Sequence, residues 1–236
     1  MIHSIKGEKM QKFINTFLKI IKYPFGLACL CFAYPLMTGL MHLIFKTFNM
    51  NIFLYFLLPI FAMMFIWSMI PSLRGHWLTI FAHEFTHMLA AIITFHKPAG
   101  MSIKQDVGGS FSYKGKGNWL ITLAPYFFPT FPFLWMLGGL WFQWNHQAVP
   151  QWYILTFGGL VGYHIVANFY QIHDQQTDFK KAGFLFSFMI IPALNFIMIG
   201  YLWCFVLHGW SGLGIWNKIA FQECNLFFQQ MLNKLL

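Results

Sequence analysis

"HWLTIFAHEFTHMLAAIITF", residues 76–95, is apolar enough to lie in a lipid bilayer, yet it carries two imidazoles and a carboxylate near its middle. These polar side chains are His83, Glu84 and His87. Ionisable groups are costly in hydrocarbon, so those that occur inside membrane helices usually have a function. The stretch therefore predicts a membrane helix that carries a functional site.

The composition of the whole chain is that of an integral membrane protein. Of its 236 residues, 58% are hydrophobic and only 9% are charged, whereas a soluble domain carries about 25% charged residues. The net charge of +9 is not accompanied by a nucleic-acid-binding motif. Instead, lysines flank the apolar runs, as they do where a chain borders a bilayer and meets anionic lipid. We expect a multi-pass protein of a cell membrane whose partners include the lipid bilayer and not nucleic acid.

Six apolar stretches are long enough to cross a bilayer, which takes about 20 residues of helix. Five of them contain no Asp, Glu, Lys or Arg, and the third contains only Glu84. Lipid-exposed backbone must satisfy its own hydrogen bonds, so each stretch is expected to be helical. The predicted spans are 24–45, 52–70, 76–95, 119–142, 152–170 and 184–207. The fold class is thus an all-α polytopic membrane protein in one domain, 1–236.

Several segments depart from simple spans. Residues 1–22 alternate Lys with apolar residues and predict an interfacial amphipathic helix rather than a cleavable signal; the C-terminal segment, 208–236, contains a second candidate of this kind. Three prolines in 119–142 predict a kinked or partly unwound helix. The four cysteines form no CxxC pair, so neither a disulfide framework nor a sulfur-ligated metal is expected.

A small β-hairpin is predicted between the third and fourth spans. In "MSIKQDVGGSFSYK", residues 101–114, apolar and polar side chains alternate on both sides of Gly108-Gly109. Alternation with a period of two around a glycine pair is typical of a hairpin that turns at the glycines. A polar loop is the alternative.

The HEFTH sequence predicts a zinc site. His83 and His87 stand four positions apart, so on a helix both imidazoles project from one face and can bind one zinc ion. Glu84 lies beside them, where it can deprotonate a water that zinc makes acidic, as in the HExxH motif of metalloproteases. A catalytic zinc also needs a third protein ligand. Few carboxylates are available, and Asp174 and Asp178 lie together in 168–183.

At this point the sequence resembles the site-2 protease family, the M50 class of intramembrane zinc metallopeptidases. HEFTH in an apolar helix, a hairpin after it, the proline-containing "LAPYFFP" and a later Asp carry the resemblance, which covers the predicted catalytic core, 76–183. It implies Zn²⁺ bound by His83, His87 and Asp178, with Glu84 as general base. It also implies a membrane-anchored protein substrate that pairs with the hairpin.

The third ligand and one further residue depart from the family pattern. The family usually has a glycine after the Asp and prolines before it, whereas Phe179 follows Asp178. Asp174 or His173 therefore remain alternatives. Asn168 matches a polar residue that contacts the substrate carbonyl in the family; a structural hydrogen bond between helices is the alternative.

Two other functions remain open at this stage. One is a membrane zincin of another class, in which a Glu completes the site; Glu223 is the only candidate C-terminal to HEFTH. The other is a non-catalytic zinc-binding membrane protein, although a purely structural site has no use for Glu84. The sequence leaves the substrate, the membrane orientation and the oligomeric state open.

Overall fold

A computed structural model describes residues 2–73, 77–104, 108–145, 149–172 and 176–235, which are mostly helical and include one two-stranded hairpin. A π-helical segment, Phe53–Leu57, joins the second and third helices, and 3-10 turns are present at Pro71–Leu73, Ala124–Tyr126 and Gly209–Ser211. In chain order the elements are α1 (Ile2–Thr47), α2 (Met50–Ile52), α3 (Leu58–Met69), α4 (Trp77–Ile93), β1 (Pro98–Lys104), β2 (Gly108–Tyr113), α5 (Trp119–Leu123), α6 (Thr130–Trp144), α7 (Gln151–Gln171), α8 (Thr177–Ala182), α9 (Phe184–His208) and α10 (Gly212–Leu235).

Fewer helices meet the length and hydropathy expected of a membrane span than the six predicted. Within the described residues three helical stretches do so, Gly7–Thr47, Met50–Met69 and Phe184–Lys234, the last of which comprises α9, a 3-10 turn and α10. A fourth is added if the bent pair α5–α6 counts as one. With 17 residues, α4 reaches only about 26 Å along its axis, short of a bilayer core of about 30 Å. Polar side chains and glycines lower the hydropathy of α7. The lengths and composition of the three helices indicate an integral membrane protein.

The N-terminal segment is continuous with the first span. Residues 2–47 form one helix of 46 residues that contains Pro24, where the sequence predicted a separate helix over 1–22. Tertiary contacts hold its first half: the Trp119 indole donates to the Leu18 carbonyl at 2.9 Å, and Asn118 donates to Asn15 at 2.8 Å. This half therefore packs against the protein.

The C-terminal segment forms α10, which folds back along α9. Gly212 lies against the Cys204 carbonyl and Gly200 against the Trp216 ring, so the two helices run antiparallel. The Glu223 side chain of α10 in turn covers Gly39 of α1. As a result, α1, α9 and α10 form one packed group of helices.

Two glycines bring α7 unusually close to the second apolar stretch. A Cβ at Gly158 would lie 2.4 Å from the Phe56 carbonyl oxygen, and one at Gly162 would lie 2.5 Å from that of Ile60. Small residues four apart are a common means of close approach between membrane helices. This contact fixes α7, which carries Asn168.

The stretch 119–142 is broken, as its prolines predicted. The helix pair on either side of the break is bent by 82°. Between α5 and α6, the 3-10 turn Ala124–Tyr126 places Tyr126 fully in the interior. The break thereby brings a polar side chain into the centre of the molecule.

The predicted hairpin is present as β1 and β2, but its turn is not at the glycine pair. Lys104 pairs with Gly108 and Ile103 with Gly109, so both glycines belong to β2 and the connection spans 105–107, which lie outside the described residues. Gly108 has φ +126°, a conformation that favours glycine just after the connection. A glycine is therefore favoured at position 108 by its positive φ and not by a two-residue turn.

Candidate metal centre

Three side chains from two distant parts of the chain meet in the interior. The Nε2 atoms of His83 and His87 are 3.1 Å apart, and the Asp178 Oδ2 is 3.3 Å from each of them. Tetrahedral zinc with bonds of about 2.0–2.1 Å requires ligand atoms about 3.3 Å from one another. The triangle therefore has the dimensions of three corners of a tetrahedral zinc site.

The outer nitrogens of both imidazoles point at oxygen atoms that only accept hydrogen bonds. His83 Nδ1 is 2.8 Å from the Gln171 side-chain oxygen, and His87 Nδ1 is 2.7 Å from the Ile121 carbonyl. Each Nδ1 therefore carries the hydrogen and donates it, which leaves the Nε2 lone pairs facing the Asp178 carboxylate. Three electron-rich atoms this close repel one another unless a positive charge lies between them. The donor set thus fits a metal cation.

Asp178 reaches the centre from the short helix α8. Its side chain is 8% exposed, and the Tyr126 hydroxyl donates to its Oδ2 at 3.1 Å. This hydrogen bond favours the carboxylate over the protonated acid, and the carboxylate is the form in which Asp178 can bind a metal.

Glu84 lies beside the triangle and is not one of its members. Its side chain is 8% exposed and packs against strand β2, since a Cβ at Gly109 would lie 2.7 Å from the Glu84 Cγ and 3.0 Å from its Oε1. The hairpin therefore covers the carboxylate directly.

Three residues were alternatives to Asp178 as the third ligand. Asp174 and His173 lie outside the described residues. Glu223 is in α10, where its Oε1 is 3.5 Å from His42 Nδ1, and it does not belong to the described group around His83. Among the described acidic residues, only Asp178 joins the two histidines.

Asn168 is buried in α7 and contacts residues that neighbour the three candidate ligands. Its amide nitrogen is 3.1 Å from His164 Nε2 and donates to the Tyr126 carbonyl at 3.2 Å. The same carbonyl accepts from Asn195 at 2.9 Å. These bonds join α7 and α9 to the break that carries Tyr126.

Sequence reasoning missed three groups that hold the ligands: Tyr126, Gln171 and the carbonyl of Ile121. One signal was present, because His164, Asn168 and Gln171 are spaced four and three residues apart and share one face of α7. Tyr126 lies inside the proline-rich break. No pattern in the sequence indicates a backbone carbonyl as a partner.

Of the comparisons with known proteins, the one with family models finds a match. The family described as Peptidase M50B-like matches residues 56–173, half of the chain. The match contains HEFTH, the hairpin and α7, and it ends five residues before Asp178. No curated protein and no solved structure matches the chain significantly. Because this family model matches half of the chain, the chain belongs to the M50B-like peptidase family.

Proposed function

We propose that this protein is an intramembrane zinc metalloprotease that hydrolyses peptide bonds of membrane-anchored protein substrates. The observation that carries the proposal is the triangle of His83, His87 and Asp178 with Glu84 beside it. The peptidase family and the three span-length helices support it. A structural zinc site would be closed by four protein ligands, whereas the described group offers three.

Zinc in this site would supply a Lewis acid that polarises the scissile carbonyl and lowers the pKa of water towards about 7. Glu84 accepts a proton from the attacking water and delivers it to the nitrogen of the leaving amine. Its low exposure keeps bulk water from competing for that proton. Gln171 and Ile121 hold the imidazole rings, and Tyr126 holds the Asp178 carboxylate.

The hairpin is a suitable partner for an unwound substrate. Peptide bonds in a helix are hidden by their own hydrogen bonds, so a membrane-anchored segment has to be extended before cleavage. An extended segment can add to the edge of a small sheet by strand pairing. Because Gly109 of β2 contacts Glu84, a strand added to this hairpin would pass beside the proposed base.

Asn168 is proposed as a contact to the substrate carbonyl. The side chain lies one hydrogen bond from Tyr126, and Tyr126 lies one hydrogen bond from Asp178. In the conformation described here, its amide nitrogen is directed at the Tyr126 carbonyl. A role with the substrate therefore requires the amide to exchange that partner.

The proposal is tested by Glu84→Gln. This change keeps the size of the side chain and the two histidines but removes the base, so zinc content should stay stoichiometric. Cleavage of a co-expressed membrane-anchored substrate should fall by about 10²–10⁴, the usual contribution of general acid–base catalysis. Elemental analysis and immunoblotting measure the two quantities.

Glu223→Gln is the matched control, because it makes the same change at a partly buried carboxylate that does not belong to the described group around His83. It should keep both zinc and cleavage. A Glu84→Gln protein that retains zinc and full cleavage would exclude the protease mechanism. Zinc binding by the unaltered protein with no cleavage of any membrane substrate would instead indicate a non-catalytic zinc-binding protein.

A further inference from the structure

A cavity of about 680 Å³ lies between the first half of α1, the segment after β2 and the helix α8. Its lining is basic: one carboxylate, Glu8, is accompanied by five lysines that come from all three segments. We call it the lysine cavity, and its lysines are Lys12, Lys19, Lys22, Lys116 and Lys181.

The positive charge of the lysine cavity exceeds the negative charge near it, which comes from Glu8 in the lining and from Glu84, whose charge acts on Lys181. In the described part of the chain, every ion pair with Asp or Glu involves a histidine and none involves a lysine. Five ammonium groups around one cavity repel one another, and an anion between them removes that repulsion. The hydroxyls of Thr16 and Thr122 and the amide of Asn118 add polar groups to the wall.

The walls of the cavity are held together by hydrogen bonds that do not use the lysine side chains. Gln11 donates to the Lys114 carbonyl at 3.1 Å, and Asn15 donates to the Lys116 carbonyl at 2.7 Å. The Trp119 indole donates to Leu18 of the same helix. The cavity is thus preformed between α1 and the end of the hairpin. The Lys22 ammonium lies over the rings of Tyr23 and Phe186, whereas the other four ammonium groups remain for a ligand.

The cavity lies where two apolar helical runs begin. Lys22 comes just before the apolar run of α1, and Lys181 comes just before that of α9. Gly26 packs against Phe186, so these two ends lie side by side. Basic side chains at the ends of membrane helices face the phosphates of the headgroup layer.

We propose that the lysine cavity is a binding site for a phosphate-bearing anion, supplied either by an anionic phospholipid headgroup or by a soluble phosphate. The proposal does not depend on proteolysis. It has a structural consequence, because α8 carries both Lys181 and Asp178. An anion in the cavity contacts the six-residue helix that supplies the third candidate ligand.

Lysine acylation of the unaltered protein tests the site. The protein is placed in phosphatidylcholine nanodiscs, in nanodiscs containing phosphatidylglycerol, and in phosphatidylcholine nanodiscs with added inorganic phosphate. Mass spectrometry then measures the acylation of each lysine. We expect an anion to reduce labelling of Lys12, Lys116 and Lys181 at least threefold. Lysines on the same three segments but outside the cavity, Lys9, Lys114 and Lys180, serve as internal controls and should change little.

Protection by phosphatidylglycerol alone assigns the site to a lipid headgroup, and protection by inorganic phosphate assigns it to a soluble anion. Equal changes in the two sets of lysines, or no change in either, would overturn the proposal.

Matched triple variants provide an independent measurement. Lys12→Gln/Lys116→Gln/Lys181→Gln and Lys9→Gln/Lys114→Gln/Lys180→Gln remove the same charge from the same segments. Each lysine near an anionic surface contributes roughly fivefold in affinity. Retention of phosphatidylglycerol, measured by native mass spectrometry, should therefore fall at least tenfold in the first variant and less than about threefold in the second. Equal losses in both would show that only general surface charge is involved.

Discussion

At the scale of single residues, the centre depends on groups that contact the Nδ1 atoms of the two histidines, opposite the Nε2 atoms that face Asp178. The partner of His83 Nδ1 is 88 residues away, and that of His87 Nδ1 is 34 residues away. The i, i+4 spacing was enough to predict the histidine pair, because it is a local property of one helix. The oxygens that orient the two rings depend on tertiary packing and could not be predicted from HEFTH.

Asp178→Ala is expected to lower zinc occupancy and abolish cleavage. The change removes one corner of the ligand triangle and leaves two neutral imidazoles, which hold zinc more weakly. Elemental analysis of the purified protein measures the occupancy. Glu223→Ala is the control and should keep its zinc. If Asp174→Ala loses zinc while Asp178→Ala retains it, the third ligand is Asp174.

Tyr126→Phe is expected to weaken zinc binding without abolishing it. The phenol donates to the oxygen of Asp178 that faces both imidazoles, and loss of such a supporting bond typically costs about 10–100-fold in metal affinity. Competition with a zinc chelator of known affinity measures this change. Tyr163→Phe is a matched control, because Tyr163 donates to Thr79 rather than to a ligand. Equal affinities of the two variants would contradict the proposed support.

At the scale of elements, the features that local sequence patterns encode were predicted, whereas the features that depend on contacts between distant residues were not. The apolar stretch 76–95 contains α4, and the alternation in 101–114 predicted the strands. The prolines predicted the break before α6. The continuity of α1 and the return of α10 along α9 were not predicted, since both depend on contacts such as Trp119 with Leu18 that no local pattern encodes.

The hairpin also positions Glu84, which leads to a prediction for Gly109→Ala. The added methyl group would overlap Glu84 Cγ and Ile80 Cγ2, at 2.7 Å and 2.6 Å. Either β2 or the carboxylate must shift, so cleavage should fall about tenfold or more, because catalysis is sensitive to displacements of this size. Zinc content should be unchanged. Gly100→Ala on β1, which meets only an ordinary contact at 3.5 Å, should be neutral; similar losses in both variants would point to a general effect on the hairpin.

At the scale of the whole molecule, the centre joins regions that are far apart in the chain. The family match ends at residue 173, and the third candidate ligand lies beyond it in α8. His83 and Asp178 are separated by 95 positions, so the packing of α4, α7 and the broken helix between them has to be complete before the ligands meet. A metal bound there would connect α4 to α8 directly.

Removal of zinc is therefore expected to destabilise the folded protein. A ligand that binds only the folded state adds about 2.7 kcal/mol when its free concentration is 100 times its dissociation constant. For a chain of this size, that corresponds to a shift in Tm of roughly 5–10 °C. A thermal melt in detergent, before and after chelation, measures the shift.

Glu84→Gln keeps all three ligands and should show the same shift. His83→Ala should melt at the lower temperature with or without the chelator. An unaltered protein that loses its zinc on chelation but keeps its Tm would show that the metal does not join these helices.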